Sequence, residues 1–291
     1  MAVTCITLIG VGLIGGSFAL ALRRGGYEGT IYGYGRSETA LRRAVELGVI
    51  DHYSTDLADL VPASDLIVVA TPVGTMAAIF ADLQPFLRPD LLITDMGSTK
   101  LSVIAAARAA WGEIPARFVP GHPIAGKEQS GVEAAEATLF YQRKTILTPL
   151  EKTEPKALQQ VSRLWQMAGA EVVKMAAAKH DEVLAATSHL PHLLAFTLVD
   201  TLAKLDDHDD IFRFAAGGFR DFTRIASSDP QMWHDITLSN RAALLQVVAQ
   251  FQQQLTELSL AIERGDSEAV LTLYRHAKAE RDSYIDRHGQ I

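Results

Sequence analysis

Cysteine is almost missing from this chain of 291 residues. The single one, Cys5, lies in the first apolar segment. No internal disulfide framework is possible, and a reducing compartment is expected. A small side chain at that place reads as core rather than as a reactive thiol. Basic charge is also short: 27 Lys and Arg stand against 34 Asp and Glu, a formal charge of −7 with no compensating basic stripe. That argues against nucleic acid as a partner. Nine histidines occur, but there is no HExxH and no paired-cysteine spacing, so no metal is expected. The acidic run Asp206-Asp207-His208-Asp209-Asp210 reads as a solvated loop. Met1 to Leu22 carries no charge, yet a secretory signal places its basic residues before the apolar run, and here Arg23 and Arg24 follow it. Four glycines between Gly10 and Gly16 suit a turn better than a membrane helix. The expectation is a soluble, cytoplasmic protein with no membrane partner.

What the chain does have begins at once. Cys5 to Ile9 is an apolar, partly β-branched strand, Gly10 to Ser17 is a glycine turn, and Phe18 to Gly25 reads as a helix. Strand, GxGxxG turn and helix in that order form a dinucleotide-binding unit. Gly10 permits the tight turn, Gly12 lets backbone N–H groups approach a pyrophosphate, and Gly15 lets helix and strand pack closely. Leu13 and Ile14, between them, belong to the same cofactor-binding set, because a helix start presents unpaired donors to phosphate. The second strand, Thr30 to Tyr34, ends at Gly35-Arg36-Ser37, where NAD-binding units carry an acid for the ribose 2′-hydroxyl. With no carboxylate to repel a 2′-phosphate, and a guanidinium and a hydroxyl able to bind one, NADP is favoured over NAD. The alternative is that Arg36 is a solvated charge and either cofactor is accepted.

Further alternation fixes the fold class. Ser37 caps a helix from Glu38 to about Leu47, and a short strand is expected near Val49-Ile50. Asp65 to Thr71 is a continuous apolar run, as for a strand buried on both faces. A helix from Thr75 to Leu87, a strand at Leu91 to Thr94, a helix from Leu101 to Trp111 and a strand at Arg117 to Pro120 follow. Two more strands, Thr145 to Thr148 and Glu171 to Met175, flank a helix from Pro155 to Ala168. The pattern then turns helical: Asp181 to Leu205 with Pro191 inside it, Pro230 to Glu263, and Ser267 to about His288. This is an α/β, Rossmann-type, doubly wound and mostly parallel sheet over 1–175, followed by an all-α domain over 176–291. Ligands bind beyond the carboxyl ends of such strands. The glycine turn, Arg36, Thr71, Ser98 and His122 all fall there by spacing alone.

Five motifs, GVGLIGGS, DMGSTK, HPIAGKEQSG, SHLPH and GGFRDFTRIASSDPQMW, spread over Gly10 to Trp233, resemble the prephenate/arogenate dehydrogenase family of tyrosine biosynthesis. The last three are specific. The resemblance implies a reaction in which a cyclohexadienol gives hydride to NADP or NAD and loses carbon dioxide as its ring becomes aromatic. The product is 4-hydroxyphenylpyruvate from prephenate, or tyrosine from arogenate. It further implies an intertwined homodimer built by the helical domain. His122 would take the proton from the C4 hydroxyl, and Ser98 would hydrogen-bond that hydroxyl or His122. Arg224 would grip a substrate carboxylate, with Arg220 the competing candidate. Ser188, His189 and His192 would line the substrate pocket, and Glu128 would form an ionic gate at its mouth. Asp221 reads as orienting an arginine, and Trp233 and Phe222 as core. Chain length leaves the expectation of no regulatory domain after the helices and no fused chorismate mutase before them, so feedback by tyrosine would act at the active site. Two other readings stand beside this one. A β-hydroxyacid dehydrogenase would use a lysine near the first long helix, where Lys179 lies. A silent dinucleotide-sensing dimer would not need His122 and Arg224 together.

Overall fold

A computed structural model describes residues 3–288. Strand β1 (Cys5–Ile9) runs into the glycine turn, and helix α1 (Leu13–Arg24) leaves it. Then come β2 (Thr30–Tyr34), α2 (Glu38–Glu46), β3 (His52–Ser54), β4 (Leu66–Val69), α3 (Met76–Leu83), β5 (Leu92–Asp95), α4 (Leu101–Trp111) and β6 (Phe118–Val119). These strands form one sheet of order β3-β2-β1-β4-β5-β6, parallel at every pairing. The expected doubly wound Rossmann-type sheet is therefore present. Strand β4 sits near its centre, and all four residues are fully buried. Alternation sends Leu66 and Val68 into one core with Phe18 and Trp165, and Ile67 and Val69 into the other with Phe80 and Phe118. Each such side chain contributes roughly 1.5–3 kcal/mol on burial.

Several boundaries differ from expectation for physical reasons. The third strand is His52–Ser54, not Val49-Ile50. Val49 and Ile50 are apolar because they plug the core just after the Gly48 helix stop. Gly121 to Gly126, expected as loop, contains strand β7 (Gly121–Pro123). It pairs antiparallel with β8 (Lys144–Leu147), which pairs parallel with β9 (Glu171–Lys174); helix α5 (Pro155–Met167) connects these two. The last two expected strands thus build a second, three-stranded sheet rather than widening the first.

The helical part comprises α6 (Ala177–Leu184), α7 (Leu190–Ala203), α8 (His208–Arg213), α9 (Gly217–Thr223), α10 (Pro230–Ser239), α11 (Arg241–Glu263) and α12 (Ser267–His288). Pro191, expected to kink or divide the stretch, lies in the first turn of α7, and the division falls just before it. One π turn, Ala185–His189, joins α6 to α7, with the Leu190 N–H bonded to the Ala185 carbonyl five residues back. The long helix expected from Pro230 is broken at Asn240, which is buried and leaves helical geometry (φ −108°, ψ 26°). Among the described residues one helical stretch, Ala177–Ala203, is long and apolar enough to cross a membrane by length and composition. It carries two buried histidines and a buried aspartate, all hydrogen-bonded within the protein. One compact unit ends at Arg241, and a second begins at Ala242. In the second, Leu245, Phe251, Leu255, Leu260, Ile262 and Tyr274 leave large apolar side chains exposed.

Beyond β5 lies a fully buried ion pair. The Lys100 ammonium donates to the Asp95 carboxylate and, at 2.6 Å, to the Gly121 carbonyl. Asp95 also accepts from the Gly97 N–H at 2.8 Å and the Gly121 N–H at 3.2 Å. Burial lowers the Lys100 pKa, and the Asp95 carboxylate opposes that shift. The pair thus pins the start of β7 to the end of β5. Removing one partner strands the other charge in the interior, so Lys100→Met is expected to cost about 3–5 kcal/mol in urea unfolding. The Asp95→Leu/Lys100→Met double variant is expected to lose less than the sum of the two singles. Additive losses would contradict the coupling.

Candidate active site

The site begins at the glycine turn. Gly10 adopts φ +96°, and its position lies against the Ala70 carbonyl; a side chain there has neither the conformation nor the room. A Cβ on Gly15 would sit 2.2 Å from the Gly10 carbonyl oxygen, so α1 could not start as close to β1. Gly12 has open space where its Cβ would be, and no side chain caps the helix it begins. The first-turn N–H groups, those of Leu13 and Ile14 among them, are left for a ligand. The Thr71 hydroxyl at the end of β4 is buried without a partner. A cavity of ≈ 450 Å³ continues from Val11 and Gly12 to Gly35, Arg36, Ser37, Ala40 and Leu41. Ser37 caps α2, accepting from the Ala40 N–H at 3.3 Å. Among the described residues Arg36 has no ion-pair partner. An open Gly12 at a helix start and an unpaired guanidinium along one cleft, with an orphaned hydroxyl beside the Gly10 turn, fit a dinucleotide.

The carboxyl ends of β1, β4, β5 and β6, adjacent in the sheet, carry Gly10, Thr71, Ser98 and His122 in turn. His122 sits on β7, and its Nδ1 lies 2.9 Å from Nε2 of His180. Nδ1 of His180 lies 2.8 Å from Oδ1 of Asp181. His180 and Asp181 are fully buried. The Asp181 carboxylate also accepts the Lys100 N–H at 2.8 Å and the Leu101 N–H at 2.9 Å, where α4 starts. Burial alone would raise the Asp181 pKa. The bonds from His180, Lys100 and Leu101 outweigh it and hold the carboxyl below its ordinary range.

An ionised carboxylate only accepts, so the tautomers follow. His180 carries its proton on Nδ1 and accepts at Nε2 from the Nδ1–H of His122. Nε2 of His122 is then a free lone pair, with no protein partner among the described residues. Burial, and then the neighbouring His180, Lys100 and His189 charges, push the His122 pKa well below its ordinary value. The ring is neutral, with an unoccupied lone pair at Nε2.

Ser98 follows β5 in the loop that holds Asp95 and Lys100. Among the described residues its hydroxyl makes no hydrogen bond. The Nδ1 partner of His122 is His180, and Ser98 remains available to a ligand hydroxyl. His189 and His192, expected on one face, both pack on Trp233: His192 stacks on it at 3.5 Å and His189 meets it edge-on at 6.1 Å. His192 bonds the Ser188 carbonyl through Nδ1 at 2.9 Å, so Ser188 contributes its backbone to that contact. Burial, and Arg224 after it, lowers the His192 pKa against the opposing pull of Ser188 and Glu128. Arg224, just after α9, pairs with Glu128. Trp233, read as core, has a buried indole N–H without a partner among the described residues, whereas Phe222, also read as core, is exposed on the short helix α9.

His180, Asp181 and Asn240 escaped the sequence reading. A neighbouring His-Asp pair at a helix start was the available signal. The spacing of His122 and His180, 58 residues apart, hid the contact.

A cleft that fits a dinucleotide, beside a neutral histidine linked through a second ring to a buried carboxylate, fits one class: a nicotinamide-dependent dehydrogenase of Rossmann type. Family models agree, matching residues 18–174 to the prephenate dehydrogenase nucleotide-binding domain and 176–277 to the prephenate dehydrogenase dimerization domain. The chain belongs to the prephenate dehydrogenase family. It is 37% identical over 279 residues to a cyclohexadienyl dehydrogenase of Zymomonas mobilis, covering 95% of this chain and 94% of that one. It is 38% identical to a prephenate dehydrogenase of Bacillus subtilis, covering 95% of this chain and 75% of the other. The solved prephenate dehydrogenase of Aquifex aeolicus, in complex with hydroxyphenyl propionate and NAD+, matches 98% of this chain and 99% of its own at 39% identity and TM-score 0.91.

The His189 ring is buried, and burial, partly opposed by Asp181, lowers its pKa to about 4. Unfolded, it returns to about 6.5. Below pH 6.5 the unfolded chain takes up a proton that the folded chain refuses, so stability is full above that pH and falls as pH drops toward 4. His189→Gln is expected to remove about 3 kcal/mol of this loss between pH 7 and pH 4, measured by urea unfolding. Parallel stability–pH curves for the two proteins would contradict it.

Proposed function

We propose that this chain oxidises and decarboxylates prephenate, arogenate or both, preferring NADP+ over NAD+. One observation carries the reading: the Asp181–His180–His122 chain ends on a free Nε2 lone pair at the strand edge that also holds the dinucleotide cleft. Gly10, Gly12, Leu13, Ile14 and Gly15 would hold the pyrophosphate, and Thr71 would bond the cofactor beyond it. Arg36 and Ser37 would meet the 2′-phosphate, and the unpaired Arg36 guanidinium supports NADP. When bound, the nicotinamide accepts the hydride that leaves C4.

His122 Nε2 takes the C4 hydroxyl proton as that hydride departs, and its Nδ1–H bond to His180 keeps the ring in place. The resulting imidazolium is stabilised through His180 by the Asp181 carboxylate. Ser98 orients the same hydroxyl. The ring carboxylate then leaves as carbon dioxide, its bonding pair completes the aromatic ring, and the C4 oxygen takes back the proton held on His122. Arg224 binds a substrate carboxylate; its present partner Glu128 would open as a gate when substrate arrives. Ser188, His189 and His192, with Trp233, line the pocket. A ligand such as the hydroxyphenyl propionate of the Aquifex aeolicus complex has the ring and carboxylate that this pocket would take.

The dinucleotide domain would span 1–175 and the helical domain 176–291, in a cytoplasmic homodimer. Exposed apolar side chains on α11 and α12 support the dimer. A lysine-based β-hydroxyacid chemistry is disfavoured, because Lys179 is exposed and paired with Glu182.

Purified protein with prephenate or arogenate and NADP+ is expected to produce reduced-cofactor absorbance; silence with both substrates and both cofactors would refute the reading. His122→Asn is expected to lower kcat by about 10²–10⁴-fold with little change in cofactor KM. Arg224→Ala is expected chiefly to raise substrate KM, and Arg36→Ala to raise KM for NADP+ more than for NAD+. Equal effects of Arg36→Ala on both cofactors would overturn the NADP preference.

A further inference from the structure

Asn240 joins two parts of the site that the proposed mechanism treats separately. It is buried at the C-terminal end of α10. Its Nδ2 lies 2.8 Å from the backbone carbonyl of Asp181 and 3.0 Å from Nδ1 of His189. A backbone carbonyl only accepts, so the atom facing it is the amide nitrogen and not the oxygen. The two Nδ2 hydrogens therefore go to the Asp181 carbonyl and to His189 Nδ1. His189 Nδ1 must be a bare lone pair, and the ring proton must sit on Nε2. Among the described residues, no protein group pairs with that Nε2–H.

We propose that Asn240 is a positioning residue that locks His189 as the neutral Nε2–H tautomer, making it a fixed hydrogen-bond donor to substrate. The same amide ties this donor to the backbone of Asp181, so base and donor keep one spacing. The proposal rests on the dehydrogenase reading only for the identity of the substrate. The titratable groups around His189 are Asp181 and His180 from α6, His192 from α7 and His122 from β7. Of these, Asp181 favours a protonated ring; the histidines and burial oppose it. The Asn240 N–H blocks the one nitrogen a proton would otherwise reach. A donor that never becomes a cation binds a substrate acceptor equally well from mildly acidic to alkaline pH. It also leaves the substrate charge to be matched by Arg224 alone.

The test uses full-length protein labelled with ¹⁵N-histidine, with His189 assigned from the His189→Gln spectrum. In the unsubstituted protein, His189 is expected to show a bare Nδ1 and a protonated Nε2, unchanged between about pH 6 and 9. A protonated Nδ1, or titration of His189 in that range, would overturn the lock without any variant. Asn240→Asp replaces the donor by an acceptor of the same shape. It is expected to draw a proton onto Nδ1, to raise substrate KM about tenfold with cofactor KM unchanged, and to add an ionisation to the kcat/KM profile between about pH 6 and 8. Asn240→Ser, which keeps one donor, is expected to restore part of the KM. A folded Asn240→Asp protein with unaltered KM and pH profile would overturn the proposal while the enzyme reading stands. Absence of turnover in the unsubstituted protein would instead refute the enzyme reading, and the spectra would still decide the lock.

Discussion

The arrangement depends on one buried carboxylate. Asp181 accepts the first free amides of α4 and the Nδ1–H of His180. The α4 amides are positive dipole ends, and they keep the carboxylate ionised although it has almost no contact with water. Because it is ionised, it can only accept, and that single fact propagates through two rings. His180 must donate through Nδ1, His122 must do the same, and the lone pair at His122 Nε2 is left outward. A neutral ring with a depressed pKa would by itself be a poor base. In the proposed mechanism, the carboxylate two rings away favours the cation that forms when the proton arrives.

A second constraint holds the strand on which His122 sits. The Lys100–Asp95 pair costs desolvation and is a weak source of net stability. Its value is geometric: both partners bond Gly121, the residue before His122. The loop from Asp95 to Leu101 thus serves both ends of the site. Its acid and lysine fix the start of β7, and its last amides hold Asp181. Asn240 extends the same logic to His189, through the carbonyl of the residue that anchors the base.

Much of this was legible in the chain. The β1–turn–α1 unit, the Ser37 cap and the Leu101–Trp111 helix follow from glycine placement, capping chemistry and apolar period, which are local signals. His122 and Arg224 were marked out by the HPIAGKEQSG and GGFRDFTRIASSDPQMW motifs, and their roles came from the family resemblance; of the two, only His122 was also flagged by its place just past a sheet strand. His180, Asp181 and Asn240 were not, since each is a buried polar residue whose partner is distant in sequence. The π turn adds a further obstacle: one extra residue in the turn shifts the helical face between Leu184 and Leu190, so a 3.6-residue period carried from α6 into α7 loses its phase. The second sheet was illegible for a similar reason. Thr145 to Thr148 pairs with β7 and β9 rather than with the first sheet, and those partners are distant in sequence.

The most direct measurement is the kcat of His180→Phe, with substrate and cofactor KM recorded alongside. Phenylalanine keeps the ring shape but offers no acceptor to the Nδ1–H of His122 and no donor to Asp181. If the carboxylate sets the base through His180, kcat falls by about 10²–10⁴-fold while both KM values stay within about threefold. A kcat within about threefold of the unsubstituted enzyme would contradict the account and leave His122 acting alone.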